Sequence, residues 1–254
     1  MTTPHAAFGL AVAATLLPCV ALAQSGPEGP LRPVVDLAVA DTDGGTWLDG
    51  GIGLGRTALI SGDGWRLADS RLLVRERPGL SELAVSLDVA GPDGWMLGGG
   101  LGPDDGSLAR SAVRVGRVGR IETAGAVLVP GLTLSARDWS NATLVSLAPS
   151  LEYYPRGAPW YLTGSASLGS LDGAFTAGGQ ITARVPVSGP VGAWVGVSGG
   201  REIEAGAPLD VTAVSAGLEW TSASGRVIGL GLEREQRDGV DARISLRLRL
   251  SGGN

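Results

Sequence analysis

The sequence predicts an all-β fold, an antiparallel transmembrane β-barrel of about twelve to fourteen strands with an apolar outside and a polar lumen. Three observations predict it. The run from Val240 to Leu250 places Val, Ala, Ile and three Leu on one face and Asp241, Arg243, Ser245, Arg247 and Arg249 on the other. That is the two-residue period of a strand between lipid and water. Runs of this kind recur from Leu31 to Leu250, separated by clusters of Gly, Asp, Pro and Ser. Beyond the N-terminal segment no continuous apolar stretch approaches the ~20 residues that a membrane-spanning helix needs. In a membrane such a chain closes into a barrel, because only closure satisfies every backbone amide and carbonyl.

The elements follow in order. Residues 1–23 have a short apolar core ending in Ala21-Leu22-Ala23, the pattern of a signal peptide cut after Ala23. Pro18 fits poorly before Cys19 as a lipidation site. Residues 24–32 are rich in Gly and Pro and read as a flexible lead-in. The barrel is expected over 33–250, and 251–254 form a C-terminal tail. Its fourteen runs fall near 33–40, 46–60, 64–77, 81–90, 95–102, 108–121, 126–139, 142–155, 160–171, 174–187, 191–204, 211–222, 226–236 and 240–250. An even number suits a barrel with both ends on one side of the membrane, and twelve is the fallback if the first two runs do not both enter the wall.

The turns fix registers, since a pairing is acceptable only if lumen residues meet lumen residues. Asp172-Gly173 suits a two-residue hairpin, pairing Leu171 with Ala174, Thr163 with Thr182 and Tyr161 with Arg184. Ser188-Gly189-Pro190, read as a three-residue connection, sets Arg184 opposite Trp194. Ala223-Ser224-Gly225 sets Glu219 opposite Gly229, and Arg237-Asp238-Gly239 sets Glu233 opposite Arg243. Trp47, Trp65, Trp95, Trp139, Trp160 and Trp220 lie at run ends, the place of interface girdle residues, whereas Trp194 faces inward.

Composition removes most chemistry. Past Ala23 the chain has neither Cys nor His, and all its 20 basic residues are arginine. Disulfides, Cys or His metal sites and nucleophiles activated by histidine are therefore excluded from the mature chain. No cofactor and no metal are expected. A carboxylate pair among Glu152, Glu219, Glu233 and Glu235 remains formally able to hydrolyse a glycoside. Carboxylates that neutralise lumen arginines are the simpler reading, so no enzymatic activity is expected. Gly51-Ile-Gly-Leu-Gly55 before Arg56 lacks the strand, turn and helix context of a nucleotide loop and reads as a crowded wall. Asn141-Ala-Thr143 reads as a turn.

Two lumen groups stand out. The register gathers Glu152, Tyr154, Tyr161, Arg184 and Trp194 on adjacent strands near one rim. Aromatic faces beside charged groups suit stacking on sugar rings. The alternative is a packed plug in which Arg184 lies on Trp194 or Tyr161, a contact worth roughly 0.5–2 kcal/mol. Glu219, Glu233 and Glu235 with Arg243, Arg247 and Arg249 read as a ladder of alternating charge, or else as an anion filter.

Ser61-Gly-Asp-Gly-Trp65, Pro149-Ser-Leu-Glu-Tyr-Tyr-Pro155, Gly217-Leu-Glu-Trp220 and Gly229-Leu-Gly-Leu-Glu-Arg-Glu235 carry a resemblance to the YaiO-like family of outer-membrane barrels, spanning roughly Trp47 to Leu250. The chain departs from such barrels by closing on Leu250-Ser-Gly-Gly-Asn254 and by its 5% of aromatics. The resemblance implies a bacterial outer-membrane location and an accessory role in assembly or export of a surface polysaccharide. Outer-membrane lipid, the barrel-assembly machinery and a polysaccharide are then the expected partners, with no nucleic acid. Two alternatives stand beside it: a passive, narrow, porin-like channel, and a soluble periplasmic β-sandwich serving as a binding module.

Overall fold

A computed structural model describes residues 32–42, 45–55, 64–104, 107–204, 207–223, 225–237 and 240–251. The leader, most of the lead-in and residues 252–254 lie outside the described residues.

The strands are β1 (Arg32–Thr42), β2 (Gly45–Gly55), β3 (Arg66–Arg77), β4 (Leu80–Ala90), β5 (Trp95–Leu101), β6 (Ser111–Val118), β7 (Ile121–Glu122), β8 (Ala126–Trp139), β9 (Ala142–Pro155), β10 (Tyr161–Leu171), β11 (Ala174–Ser188), β12 (Val191–Glu204), β13 (Ala207–Thr221), β14 (Val227–Arg237) and β15 (Val240–Ser251). The two-residue β7 continues β6 along β8, so the wall has fourteen strands. Every strand pairs antiparallel with its neighbour in sequence, and β1 closes the sheet on β15, from Val34 opposite Ser251 to Asp41 opposite Ile244. Closure leaves no unpaired edge. The barrel occupies 32–251, one residue beyond the expected bounds at each end, and the first run is a full wall strand.

Turn chemistry set the registers as expected in three hairpins. Asp172 and Gly173 both adopt positive φ, 46° and 90°, the left-handed pair that a tight hairpin needs, and Tyr161 faces Arg184. Arg184 faces Trp194, and Glu219 faces Gly229. The fourth register is corrected. Arg237 pairs with Val240 and a bulge follows, so Arg243 stands opposite Glu235, and Glu233 opposite Ser245. A bulge adds one residue to one strand, and here the slip of two preserves which face points inward.

The outer face carries a broad apolar band: Ile52, Leu87, Ile181, Val197 and Leu232 expose 57%, 52%, 59%, 54% and 58% of their surface. No second sheet covers these residues, which removes the β-sandwich alternative. We call the rim at which β1 begins and β15 finishes proximal, and the other distal. The described distal turns Pro78-Gly79, Ser140-Asn141 and Asp172-Gly173 are two residues long. The distal connection between β5 and β6 runs from Gly102 to Arg110 and is the long one.

Charging the lipid face should unfold the barrel while the lumen tolerates polarity. Leu232→Arg is expected to cost about 2–4 kcal/mol if its site lies near the bilayer midplane, measured by denaturant unfolding in liposomes, whereas Gly178→Ser should leave the midpoint nearly unchanged.

Candidate functional site: the barrel lumen

Arginines inside a barrel need counter-charges, and the proximal half supplies them along the wall. Asp36 on β1 accepts from Arg71 on β3, whose Nε also donates to Asp69 Oδ1 at 2.8 Å. Between them, on β2, lies Gly53, where a Cβ would come 1.7 Å from the Ser70 carbonyl oxygen, so the close approach of the β3 backbone requires the glycine there. Arg249 on β15 approaches Asp36 at 3.7 Å from the other side. Asp88 on β4, Gly98 on β5 and Arg114 on β6 are register partners in one row. Arg114 Nε donates to Asp88 Oδ1 at 2.5 Å directly over Gly98, where a Cβ would lie 2.6 Å from that nitrogen. Arg184 on β11 donates through Nη1 to both oxygens of Glu219 on β13, at 2.7 Å each, spanning β12. Each pair spans two inter-strand steps, and in the Asp88–Arg114 row the glycine under the bridge gives it room.

Trp194 obeys the same rule. Its indole lies over β13 and β14, and a Cβ at Gly217 or Gly231 would come 2.6 or 2.7 Å from the ring. Tyr154 and Tyr161 stack at 4.8 Å with planes 20° apart, and the Tyr154 hydroxyl donates to Glu152 at 2.5 Å. Glu152, Tyr154, Tyr161, Arg184 and Trp194 therefore form a continuous inward strip across β9 to β12. Arg184 is engaged with Glu219 rather than stacked on Trp194 or Tyr161. A Cβ at Gly192, in the proximal half, would have only the Val185 carbonyl oxygen within 4 Å, and one at Gly178, in the distal half, only backbone atoms of Gly199 and Gly200.

The charge ladder is dispersed. Glu219 serves Arg184, Arg249 approaches Asp36, and Glu235 accepts from Arg237 Nε. Arg247, between Ala38 and Gly231 in the register, has no ion-pair partner among the described residues. The side chain of Arg243 lies outside the described residues.

The distal half is packed, by residues that the sequence pattern assigned elsewhere. Trp47 and Trp139 are not girdle residues: both face inward, each 4% exposed. Trp47 reaches from β2 over Ala40 toward β14, with the Arg77 guanidinium 4.4 Å and that of Arg237 6.0 Å from its ring centroid. Trp139 joins Ala142, Leu144 and Leu171. Face parity carries the missing signal. Trp47 shares its face with Asp49, and Trp139 with Arg137 and Ser135, whereas the outward Trp95 and Trp220 share theirs with Leu97 and Leu218.

The connection between β5 and β6 folds into this mouth. Ser107, 1% exposed, accepts from Arg75 Nη1 at 2.8 Å and donates to Glu82, while Leu108 N donates to Glu82 Oε1 at 3.0 Å. Trp139 Nε1 donates to the Ser107 carbonyl at 3.3 Å, linking β8 to the loop. Arg75 also binds Asp49 Oδ1 at 2.8 Å. Removing one member of so buried a charged cluster typically costs about 3–5 kcal/mol, whereas the Arg110–Asp138 pair at the rim is exposed to solvent and correspondingly weak. Nothing in the sequence marks Ser107, whose environment is assembled from three distant strands.

By sequence, no protein family and no curated protein matches the chain. By structure it is similar to outer-membrane barrel porins. OccK7 (OpdD) of Pseudomonas aeruginosa gives a TM-score of 0.50 at 11% identity, covering 88% of this chain and 97% of that one. OccK11 (OpdR) and OccK10 (OpdN) of the same organism each give 0.46, at 10% and 11% identity, over 87% and 89% of this chain and 95% and 99% of theirs. At this identity the likeness is one of fold.

The glycine rule makes a differential forecast. Gly217→Ala would set its Cβ against both the Leu230 carbonyl oxygen and the Trp194 ring and should cost about 1–3 kcal/mol through overpacking, whereas Gly192→Ala, with its nearest neighbour 3.6 Å away, should be close to neutral. Denaturant midpoints of the two variants check it.

Proposed function

We propose that the protein is a passive, narrow channel of porin type in the bacterial outer membrane, without enzymatic activity. One observation carries the reading: in the proximal lumen Asp36–Arg71, Asp88–Arg114 and Arg184–Glu219 pair between alternate strands of the wall, while the buried side chains Trp47, Trp139 and Ser107 pack the distal half. A lumen meant only to be filled has no need to keep its ion pairs between near neighbours in the wall. The porin-like fold supports the same reading. It is preferred to the polysaccharide accessory implied by the YaiO-like resemblance because the rings suited to sugar stacking are already engaged. Tyr154 and Tyr161 cover each other, and Trp194 lies on the glycines of β13 and β14. Outer-membrane lipid and the barrel-assembly machinery are its proposed partners.

Reconstitution in planar bilayers tests the proposal. Folded protein, verified by a heat-dependent shift in gel mobility, should give stepwise single-channel currents. Glu82→Ala, which frees Ser107 and Leu108, should raise the unit conductance by relaxing the distal narrowing. A correctly folded barrel that passes no current would overturn the channel reading.

A further inference from the structure

The four outward tryptophans, Trp65, Trp95, Trp160 and Trp220, all lie at the proximal rim, each 38–51% exposed. An arginine accompanies every one of them. Arg66 follows Trp65 in the chain. Arg117 pairs with Trp95 in the register and holds its guanidinium 5.5 Å from the ring centroid. Arg156 shares the connection between β9 and β10 with Trp160, which packs on Tyr153 at 5.9 Å, and Arg226 ends the connection that follows Trp220 and the close of β13. Arg156 is half exposed and touches Glu122 at 3.1 Å, and the Arg226 guanidinium makes no ion pair among the described residues. Against the arginines of this rim, the described acidic residues are Asp93 and Glu122.

The distal rim is the reverse. Glu76, Asp104, Asp138, Asp172 and Asp210 lie there; of the arginines on this part of the outer surface, Arg110 and Arg201 are paired with Asp138 and Asp210, and Arg234 is exposed on β14. The two ends of the outer surface therefore differ in both aromatic content and sign of charge.

Indole rings settle at the level of lipid glycerol and headgroups, and a guanidinium beside them meets phosphate with a two-pronged fork. We propose that the proximal rim is a collar that binds anionic phospholipid headgroups, with the tryptophans setting its depth and Arg117, Arg156 and Arg226 holding the phosphates. The neutral alternative, a girdle of tryptophan alone, has no use for an arginine at each ring. An anionic surface attracts each nearby arginine by roughly fivefold in binding.

Native mass spectrometry of the detergent-purified barrel, loaded with equal dioleoylphosphatidylglycerol and dioleoylphosphatidylcholine, reads this directly. The barrel should retain several phosphatidylglycerol molecules in excess over phosphatidylcholine. The variant R117Q/R156Q/R226Q should lose that excess, and Arg201→Gln at the distal rim should keep it. Should the triple variant not show the heat-dependent mobility shift of a folded barrel, Arg226→Gln alone, which removes no ion pair described in the fold, should still reduce the excess several-fold. Equal retention of the two lipids by the native barrel, or a phosphatidylglycerol excess that survives loss of the collar arginines in a folded variant, would overturn the collar.

Discussion

A barrel whose interior carries arginine must neutralise it without closing itself, and the bridge between alternate strands over a glycine is how this one does so. Direct cross-strand pairing brings charges within about 5.5 Å of backbone separation. Spanning two steps, as Asp88 and Arg114 do, lets a long guanidinium side chain lie along the wall instead of across the lumen. The intervening residue then cannot carry a side chain. Glycine at position 98 follows from this geometry, whereas at 53 it follows from the Ser70 carbonyl oxygen, which a Cβ would meet at 1.7 Å. Trp194 over Gly217 and Gly231 extends the same arrangement to an aromatic ring.

The distal half makes the opposite use of the same residue types. Arg75, Arg77, Glu82 and Glu235 are all less than a tenth exposed, packed with Trp47, Trp139 and Ser107. Burial on that scale ties together strands that do not pair, since Trp47 reaches from β2 across β1 and β15 to an arginine of β14, and the Ser107 loop ties β3 and β4 to β8. One end of the lumen is therefore built for rigidity and the other for room.

The fold was legible because its determinants are local. A period of two identifies a strand without knowledge of its neighbours, and Asp172-Gly173 dictates a hairpin whose register propagates along both strands to Tyr161 and Arg184. The lumen strip from Glu152 to Trp194 was legible for the same reason. What failed was not local. A two-residue connection and a bulge between Glu235 and Arg237 each shift β15 by one residue, and the sum of two leaves the same face pointing inward, so alternation alone cannot detect it. Ser107 lies in a connection with no period, and its partners Arg75, Glu82 and Trp139 are brought together only by closure of the barrel. Trp47 and Trp139 lay between these cases, since counting faces from Asp49 and Arg137 would have turned both inward.

The brevity of the distal turns bears on how the protein presents itself beyond the bilayer. With hairpins as short as Pro78-Gly79, Ser140-Asn141 and Asp172-Gly173, these parts of the rim offer no segment long enough to be drawn into a protease cleft or to stand as a protruding epitope. Even the longer connection from Gly102 to Arg110 commits Ser107 to the interior. Seen from that side of the membrane, the described turns are almost without relief, and their inconspicuousness comes from the same economy of residues that fixes their strand registers.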